Sequence, residues 1–374
     1  MKCSLTRCSL EAAPVRKALK YPQQTDLSYM NARVRGMRGG LLKKTDYGPL
    51  MKAQSMDEVV EKLRSTEYAA DIEAASARSD KKEEILSIAL KNNLSETFAR
   101  LWKITPEGAG PLLKAVFSNW EVFCIKTVMR GLARGVKRDD IQDVLVPAGD
   151  LDSGALNTLV TSKDVPDLVR FLETWASPYA RPLKRGLPAY EKDGRLIEME
   201  VALDKRTNEM LLDALSEGGG DAALMREWMS MKIDIANVLT LFKIRGQGYT
   251  GEGAAEFFIE GGKALRRQGF IELSAAKDND ALFDLLKARI TDMSIGRALA
   301  SIDPKDPLII EELFEEALEK RLSRMASVDP LTIALPASFI YMKVRETKNL
   351  RLIGRARSFG MPEAEMERLL IYPI

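Results

Sequence analysis

The chain contains 374 residues, a length that suits two or three domains better than one. Its formal net charge of +2 gives no field strong enough to suggest nucleic acid as the main partner. It contains no histidine, which excludes Ser-His-Asp catalysis, Cys-His catalysis and histidine metal sites.

The groups that remain for chemistry form no recognisable catalytic set. Cys124 and two cysteines in the first eight residues are too few for a disulfide framework or a four-ligand zinc site. The glycine-containing stretch 248–253 lacks the order of a phosphate-binding loop. Adjacent acids such as Asp139 and Asp140 point about 100° apart on a helix, which fits surface positions better than acid-base catalysis. We therefore predict a protein that is not an enzyme, with no catalytic, cofactor-binding or metal-binding residue.

The N-terminal part of the chain divides into an extension and a basic helix. Residues 1–27 are basic, contain Ser and Pro and lack periodicity, so we expect them to lie outside the folded body. From Tyr29 the pattern becomes helical and brings Arg33, Arg35 and Arg38 close together. Such a cluster can contact a partner or lipid headgroups, although a solvated helix face is the favoured interpretation.

The sequence carries no membrane or export signal. No apolar run approaches the roughly 20 residues that cross a bilayer. The N-terminus lacks the continuous apolar core of a secretory signal. We therefore expect a cytoplasmic protein.

A capping box marks the first clear helix start after the basic cluster. Ser55 is followed by Glu58 and then by apolar residues, an order typical of a helix N-terminus. The order of an acid and two apolar residues recurs downstream. The corresponding triplets are Glu58, Val59 and Leu63, then Asp167, Leu168 and Leu172, then Asp280, Ala281 and Leu285. This recurrence indicates that the chain repeats a unit larger than one helix pair.

The rest of the chain predicts helices with two interruptions. Residues 177–190 are rich in Pro and Gly and predict a linker, and residues 301–307 predict a second break. Residues 309–323 have the pattern of an amphipathic helix. Aromatic residues make up only 7% of the chain while Leu, Ala, Glu, Lys and Arg are abundant, which favours helix over sheet. The predicted fold class is all-α.

The strongest feature of the sequence is a helix-turn-helix segment that occurs three times. We call its first acidic position the anchor, which is Glu121, Asp234 or Glu346. The anchors lie 113 and 112 residues apart, a spacing of domain size that is much longer than a solenoid repeat. Three copies predict three related domains.

The same pattern follows each anchor. Positions four and seven past it are apolar and lie on one helix face. Position nine is Arg130, Lys243 or Arg355, where a cation suits the negative end of the helix dipole. Position fourteen is a glycine that can take a left-handed turn. An apolar pair nine and ten residues beyond that glycine predicts a second helix that buries the same positions in every copy.

Two segments carry a resemblance to a known family. Residues 29–42, YMNARVRGMRGGLL, and residues 343–370, KVRETKNLRLIGRARSFGMPEAEMERLL, resemble the C subunit of the archaeal and bacterial V/A-type ATPases and ATP synthases, the relative of the d subunit of eukaryotic V-ATPases. The resemblance covers nearly all of the chain after residue 27. The chain departs from it at Val344 and Arg345, where the family often has an acid, and at Cys124, where the first copy commonly has a polar residue.

The resemblance implies a funnel-like, all-α body of three pseudo-threefold-related domains, at residues 28–150, 151–263 and 264–374, after the extension 1–27. It implies a non-catalytic central-stalk subunit, present once per complex, peripheral to the cytoplasmic face of the membrane. Its partners would be the axle subunits and the membrane proteolipid rotor ring. The subunit would couple the two during ATP-linked proton or sodium transport, without a cofactor and without spanning the membrane.

Two other functions stay open on the sequence alone. One is a helical scaffold for proteins outside a rotary ATPase. The other is an enzyme that uses carboxylates in the hollow of an α-bundle. Co-purification with a membrane rotary ATPase would separate the hypothesis of a central-stalk subunit from both of these.

The repeated charges are the candidates for structural or partner contacts. An acid and a base nine residues apart on a helix face opposite ways, so they do not pair within one copy. If three domains surround a hollow, we expect equivalent charges to bridge neighbouring domains. On this hypothesis the change Arg355→Glu should harm the third domain more than the same change at Arg357. The candidate residues are Glu121, Arg130, Asp234, Lys243, Glu346, Arg355, Arg33, Arg35 and Arg38.

Overall fold

The structure is a computed structural model, and it describes residues 26–216, 219–290, 293–301 and 307–372. The extension expected at residues 1–27 and the break expected at 301–307 lie almost wholly outside these ranges. The described residues form helices and include no β-strand. The predicted all-α fold class is confirmed.

Nineteen α-helices lie within the described ranges, together with a single 3₁₀ turn at Glu107–Ala109. They are α1 (Ser28–Gly39), α2 (Lys44–Met51), α3 (Met56–Leu63), α4 (Ala69–Ser76), α5 (Lys82–Lys103), α6 (Gly110–Arg134), α7 (Arg138–Val144), α8 (Ser153–Val160), α9 (Val165–Thr174), α10 (Ala180–Asp193), α11 (Ile197–Ala214), α12 (Gly220–Arg245), α13 (Glu252–Ala255), α14 (Arg267–Ser274), α15 (Asn279–Arg289), α16 (Met293–Ser301), α17 (Pro307–Val328), α18 (Ala334–Ser358) and α19 (Glu363–Leu369). None of them, over the described part of the chain, has the length and apolar character needed to cross a membrane.

Six long helices form the frame of the molecule. Three outer helices, α5, α11 and α17, are each followed in the chain by a central helix, α6, α12 or α18. Helix α11 packs against α6 and α12, α17 packs against α12 and α18, and α18 packs against α5. Helix α5 in turn meets α6 through the rings of Phe98 and Phe117, whose centres lie 4.9 Å apart, so the packing order of the six helices closes on itself.

The central helices meet around three aromatic side chains. The ring of Tyr341 on α18 lies 4.8 Å from the ring of Trp120 on α6 and 5.8 Å from that of Trp228 on α12. Such ring distances suit tilted and edge-to-face packing, which adds about 0.5–1.5 kcal/mol per pair beyond area burial. The side chain of Asn119 also donates to the Tyr341 hydroxyl at 2.8 Å. The three copies of the repeat therefore share one interior.

The two ends of the described chain share a hydrophobic cluster. Buried residues of α2 to α5 pack with buried residues of α18 and α19. At its edge the ring of Tyr47 lies 5.4 Å from the ring of Tyr372 in an edge-to-face arrangement. The C-terminal helix pair is thus held by the N-terminal helices. The domain boundaries given above stay a prediction.

The turn predicted in each copy is confirmed. Gly135, Gly248 and Gly360 have φ angles of 65°, 82° and 68°, the left-handed region that glycine occupies without steric cost. A short helix follows each turn, namely α7, α13 and α19. The apolar columns four and seven past the anchor are fully buried in all three copies. They consist of Ile125, Val238 and Leu350 and of Val128, Leu241 and Ile353.

The predicted apolar pair of the second helix is only half right. Its second residue is buried in every copy, as Leu145, Phe258 and Leu370. Its first residue is buried only in the second copy, as Phe257, whereas Val144 is half-buried and Leu369 is 51% exposed. Leu369 ends the seven-residue helix α19, which presents one face to the core.

The linker predicted at residues 177–190 is wrong, because most of it forms helix α10. Pro182 lies in the first turn, where the missing N–H would have no partner inside the helix. Pro188 lies within the helix. Gly186 of α10 sits against Met199 of α11, and a Cβ at Gly186 would come 2.6 Å from Cγ of Met199. Tertiary packing against α11 therefore overrides the local helix-breaking signal.

The prediction for the third triplet of the repeated helix start, Asp280, Ala281 and Leu285, is also wrong by one residue. Asp278 caps α15 and accepts from the N–H of Ala281, as Asp164 caps α9. The buried residues of α15 are Leu282, Phe283 and Leu286, whereas Leu285 is 48% exposed. One extra residue between the second and third copies moves the apolar face to the next position.

The close approach of α10 and α11 makes a test of this packing possible. We expect Gly186→Ala to lower the free energy of unfolding by about 1–3 kcal/mol, because the added methyl group overpacks the contact with Met199. The measurement is urea unfolding followed by circular dichroism.

The matched control is Gly36→Ala in α1, where a Cβ would meet no atom within 4 Å. That change should be neutral or stabilise by about 0.5–1 kcal/mol, because alanine favours helix. Equal effects of the two changes would show that α10 does not pack closely on α11.

Candidate functional site

The first anchor, Glu121, is a buried carboxylate on α6 that holds a loop and a distant tyrosine. Its Oε1 accepts the backbone N–H of Asp150 at 2.6 Å, and its Oε2 accepts the hydroxyl of Tyr179 at 2.7 Å. Gly149 comes so close that a Cβ there would overlap the carboxylate. The loop between α7 and α8 is thereby fixed to the middle of α6.

Burial changes the pKa values of Glu121 and Tyr179. Burial raises the pKa of Glu121, and the hydrogen bonds from Tyr179 and Asp150 partly oppose that rise. The pKa of the Tyr179 hydroxyl is raised as well, by burial and by the neighbouring carboxylate. The hydroxyl therefore stays protonated and donates.

The second anchor, Asp234, holds the equivalent loop with backbone groups. It accepts the N–H groups of Lys263 and Ala264 at 2.9 and 2.8 Å on Oδ2, and that of Leu265 at 3.0 Å on Oδ1. A Cβ at Gly262 would overlap its carboxylate. Aspartate is one methylene shorter than glutamate, and here the loop itself comes up to the acid.

The third anchor, Glu346, joins the C-terminal copy to the N-terminal helices. Its Oε2 accepts the backbone N–H of Leu42 at 2.5 Å, and its Oε1 accepts the Tyr68 hydroxyl at 2.7 Å. The ammonium of Lys343 donates to Glu346 at 2.7 Å and to the Tyr68 hydroxyl at 3.0 Å, and it lies 4.5 Å from the centre of the Tyr68 ring. These groups form a buried cluster that links positions about 300 residues apart in the chain.

A second contact is repeated three residues after each anchor. The amide of Asn237 exchanges two 2.8 Å hydrogen bonds with the backbone of Ile259, and Asn349 donates to the carbonyl of Ile371 at 2.8 Å. In each case the partner is 22 residues further on. Cys124 makes the same reciprocal contact with Val146, through its sulfur, at 3.2 and 3.3 Å. The thiol at this unusual position therefore replaces the amide in the same contact, and burial raises its pKa to about 12.

Two of the three repeated cations bridge to the outer helix of the next copy. Arg130 on α6 forms a bidentate pair with Glu200 on α11, with both distances 2.6 Å. Although burial opposes the charge of Glu200, the guanidinium outweighs it and lowers the pKa of that carboxyl. Lys243 on α12 lies 3.2 Å from Glu311 on α17. The expected bridging between neighbouring copies is therefore present at these two positions.

The third cation, Arg355, differs from the other two. It is exposed and makes no ion pair with any residue that the structure describes. Its neighbour Arg357 donates a hydrogen bond to the backbone carbonyl of Met51 on α2. The structure therefore favours a larger effect of substitution at Arg357 than at Arg355, because the residue outside the repeated column makes the contact with α2. The opposite ranking expected from the repeat stays a prediction.

A further charged cluster surrounds Arg345, which is 3% exposed. The guanidinium lies 2.6 Å from Glu312, 3.4 Å from Glu315 and 2.8 Å from Glu319, all on α17. Burial opposes the charge of Arg345, but the three carboxylates outweigh it and raise its pKa. Burial raises the pKa of Glu319 to about 7 against the attraction of Arg345. This cluster fixes α18 to α17 within the third copy.

The N-terminal arginines lie apart from these contacts. Arg33 is exposed and lines a surface pocket of about 470 Å³ together with Arg100 and Lys103. Arg35 donates to the carbonyl of Pro330 at 3.2 Å, and Arg38 is half-buried. Contact of these three residues with a partner or with headgroups stays a prediction.

The contacts of the anchors and the repeated cations join helices that lie far apart in the chain. Across the described ranges, no group of three metal-ligating side chains comes together. Each anchor carboxylate accepts two or three hydrogen bonds from other parts of the described chain. The anchors can hold the three copies in fixed positions, because removing the hydrogen-bond donors of a buried carboxylate lowers the free energy of unfolding by several kcal/mol.

Sequence reasoning missed the partners of the repeated charges. They are Tyr68, Tyr179, Glu200, Glu311 and Lys343. The two tyrosines lie 111 residues apart, a spacing that a search for the repeat among aromatic residues would have found. The glutamates gave no such signal, because surface acids are common on every amphipathic helix.

Comparison with known proteins gives consistent matches over most of the chain. The family described as "ATP synthase (C/AC39) subunit" matches residues 30–369. The C subunit of the A-type ATP synthase of Haloferax volcanii is 27% identical over 348 residues, which cover 92% of this chain and 97% of that protein. The protein of the same name in Archaeoglobus fulgidus is 28% identical, with 92% and 96% covered. The C subunit of the V-type ATP synthase of Deinococcus radiodurans is 28% identical, with 92% and 90% covered.

The anchor cluster of the third copy predicts unequal effects of two similar changes. Glu346→Gln should lower the free energy of unfolding by about 3–5 kcal/mol, because it leaves the buried Lys343 without its counter-charge. Glu121→Gln should cost about 1–2 kcal/mol, because the amide oxygen still accepts one hydrogen bond, its NH2 can donate to the rotatable Tyr179 hydroxyl, and no buried cation loses its counter-charge. Urea unfolding of the two variants and the unchanged chain measures both values.

The pH dependence of Glu121→Gln provides the control. Since the pKa of Glu121 is raised on folding, the folded chain binds this proton more tightly, and the unchanged chain loses stability as the pH rises through the raised pKa. The destabilisation by Glu121→Gln should therefore be smaller at about pH 7 than at about pH 4. Equal losses for both variants at every pH would contradict the assignment of the two anchors.

The two neighbouring arginines of α18 give a further comparison. Arg357→Gln should cost about 1–2 kcal/mol, because it removes the hydrogen bond to Met51. Arg355→Gln should change stability by less than about 0.5 kcal/mol, because its side chain is exposed and has no ion-pair partner among the residues that the structure describes. Thermal unfolding of each variant decides the order, and a larger loss for Arg355→Gln would restore the ranking expected from the repeat.

Proposed function

The chain belongs to the C/AC39 subunit family of ATP synthases, whose members are non-catalytic subunits of rotary ATPases, and we propose that it is the central-stalk subunit that couples the axle to the membrane rotor ring. The subunit would transmit torque during ATP-linked proton or sodium transport. It would bind the axle subunits on one side and the proteolipid ring on the other, as one copy per complex. It would lie at the cytoplasmic face of the membrane.

The observation that best supports coupling is the closure of the third copy on the N-terminal helices through Glu346. A part that transmits torque must resist relative sliding of its helices. Close-packed interiors have low compressibility and transmit strain. A chain whose last long helix is bonded to Leu42 and Tyr68 cannot open at that junction without exposing the buried carboxylate.

The three copies supply the geometry that the proposal needs. We propose that the units at residues 28–150, 151–263 and 264–374 surround a central hollow in a funnel-like body, and that the hollow receives the axle. The closed packing order of the six long helices supports this arrangement. A three-part socket would contact the axle on every side.

The proposal predicts a loss of coupling when the chain is removed. Membranes from cells that lack it should lose ATP-driven ion uptake, while ATP hydrolysis by the catalytic headpiece continues. The measurement is ion uptake into membrane vesicles beside ATP hydrolysis in the same preparation. Addition of the purified chain should restore uptake, and addition of an unrelated helical protein should not.

Purification gives the second arm of the test. The tagged chain should bring down both the axle subunits and the proteolipid from solubilised membranes. Uptake that continues at full rate without the chain would refute the proposal. Recovery of the chain with unrelated proteins and without the rotary ATPase would favour a scaffold.

A further inference from the structure

The charged contacts between copies can be compared at three helix junctions. We call them the first seam, between α6 and α11, the second seam, between α12 and α17, and the third seam, between α18 and α5. Position nine past the anchor is a cation in every copy, whereas position five is a cation in the first and third copies and Leu239 in the second. In the first seam Lys126 pairs with Asp204 at 2.6 Å and Arg130 pairs with Glu200. In the second, Lys243 pairs with Glu311.

The outer helices can be placed in a common register by their buried residues. Each has a column of buried side chains at every fourth position. The columns are Met199, Leu203, Thr207 and Leu211 on α11, Ile310, Phe314, Leu318 and Leu322 on α17, and Leu86, Leu90, Leu94 and Phe98 on α5. In this register the residue after the first member is Glu200, Glu311 or Ser87. The residue after the second member is Asp204, Glu315 or Lys91.

The third seam therefore has the two cations of the first seam but not its acids. Helix α18 presents Arg351 and Arg355 at positions five and nine, and α5 presents Ser87 and Lys91 where α11 carries Glu200 and Asp204. In the second seam the one such pair is Lys243 with Glu311, since Glu315 pairs with Arg345 of α18 instead. Lys91 is a cation at the position where α11 carries Asp204. Like charges that face each other across a packed junction are unfavourable.

The surroundings of these cations show that the charge is not balanced locally. The Nε of Arg351 is buried and has no hydrogen-bond acceptor among the described residues. Burial and the nearby Arg351 lower the pKa of Lys91, whose Nζ donates to the side-chain oxygen of Asn157 at 3.4 Å. Within the described ranges no carboxylate lies within 4.0 Å of the charged groups of Lys91, Arg351 or Arg355.

Two acids lie near the third seam and are engaged elsewhere. Asp143 of α7 accepts the hydroxyl of Ser87 at 2.8 Å, and Glu83 of α5 accepts the hydroxyl of Ser358 at 2.7 Å. Asp143 still attracts Arg351 and Lys91 at longer range. Three cations against these two acids leave the seam positive.

We propose that the third seam is a docking site for acidic side chains of a partner protein, with two carboxylates one helical turn apart. That arrangement is what Glu200 and Asp204 supply in the first seam, where they meet the same two positions of the central helix. Arg355 is exposed, so a partner can reach the seam from solvent. The inference does not depend on the proposed function, because it follows from the charges of this chain alone.

The experiment uses the full chain and a fluorescent helical peptide with pairs of glutamates four residues apart. A peptide with glutamine at those positions is the matched probe. Fluorescence anisotropy should show binding of the glutamate peptide, weakened by salt as expected for exposed charges. Lys91→Glu should weaken binding by about tenfold or more, because it supplies the missing carboxylate from within the chain. Arg355→Gln should weaken it less, because it removes a single exposed cation.

The control variant is Arg170→Glu on α9, which makes the same charge change at a residue that is paired locally with Asp167. Its affinity for the peptide should stay within about twofold of the unchanged chain. Lys91→Glu should also raise the midpoint of thermal unfolding, whereas Arg170→Glu should not. A raised midpoint would show that Lys91→Glu weakens peptide binding without unfolding the chain.

Three results would overturn the proposal. The first is equal weakening by Lys91→Glu and Arg170→Glu, which would indicate attraction by net charge alone. The second is equal affinity for the glutamate and glutamine peptides. The third is occupancy of the seam by inorganic phosphate, measured by calorimetry, with no affinity for the glutamate peptide, which would make it a site for small anions.

Discussion

A carboxylate buried in the middle of each central helix is the constraint on which the rest of the structure depends. Such a group is tolerated only when hydrogen bonds satisfy it. Glu121 and Asp234 obtain their donors from the loop that leads into the following copy. Glu346 obtains its donors from Leu42 and Tyr68 of the first copy. The same requirement that shapes each copy therefore also joins the two ends of the chain.

The three copies keep the same contacts at equivalent positions, but they form them with different side chains. The first and third anchors are glutamates that reach a tyrosine, and the second is an aspartate that binds three backbone N–H groups. An amide holds the adjacent contact in two copies and the thiol of Cys124 holds it in the other. The interior is thus kept constant, whereas the charged surface differs from seam to seam. Under the proposed function, such differences would give each seam its own recognition features.

Much of the local structure could be predicted from the sequence, because its signals are local. The left-handed glycines, the buried columns and the cap at Ser55 all follow from spacing within one helix. The errors arose where distant residues decide the outcome. Helix α10 forms through Pro188 because Gly186 packs on α11. The contact of Arg357 with Met51 joins residues 306 positions apart, and no pattern near either of them indicates it.

The most direct test of this account is hydrogen exchange at the backbone amides bound to the anchors. The amides of Leu42, Asp150 and Lys263 lie outside helices. If they were hydrogen-bonded only to water, as in an ordinary surface loop, their hydrogens would exchange fast. If the buried carboxylates hold them, these three amides should exchange as slowly as amides in the middle of the central helices. Replacement of Glu346 by Gln should release the amide of Leu42 selectively and leave that of Asp150 protected. Fast exchange of all three amides in the unchanged chain would contradict the account.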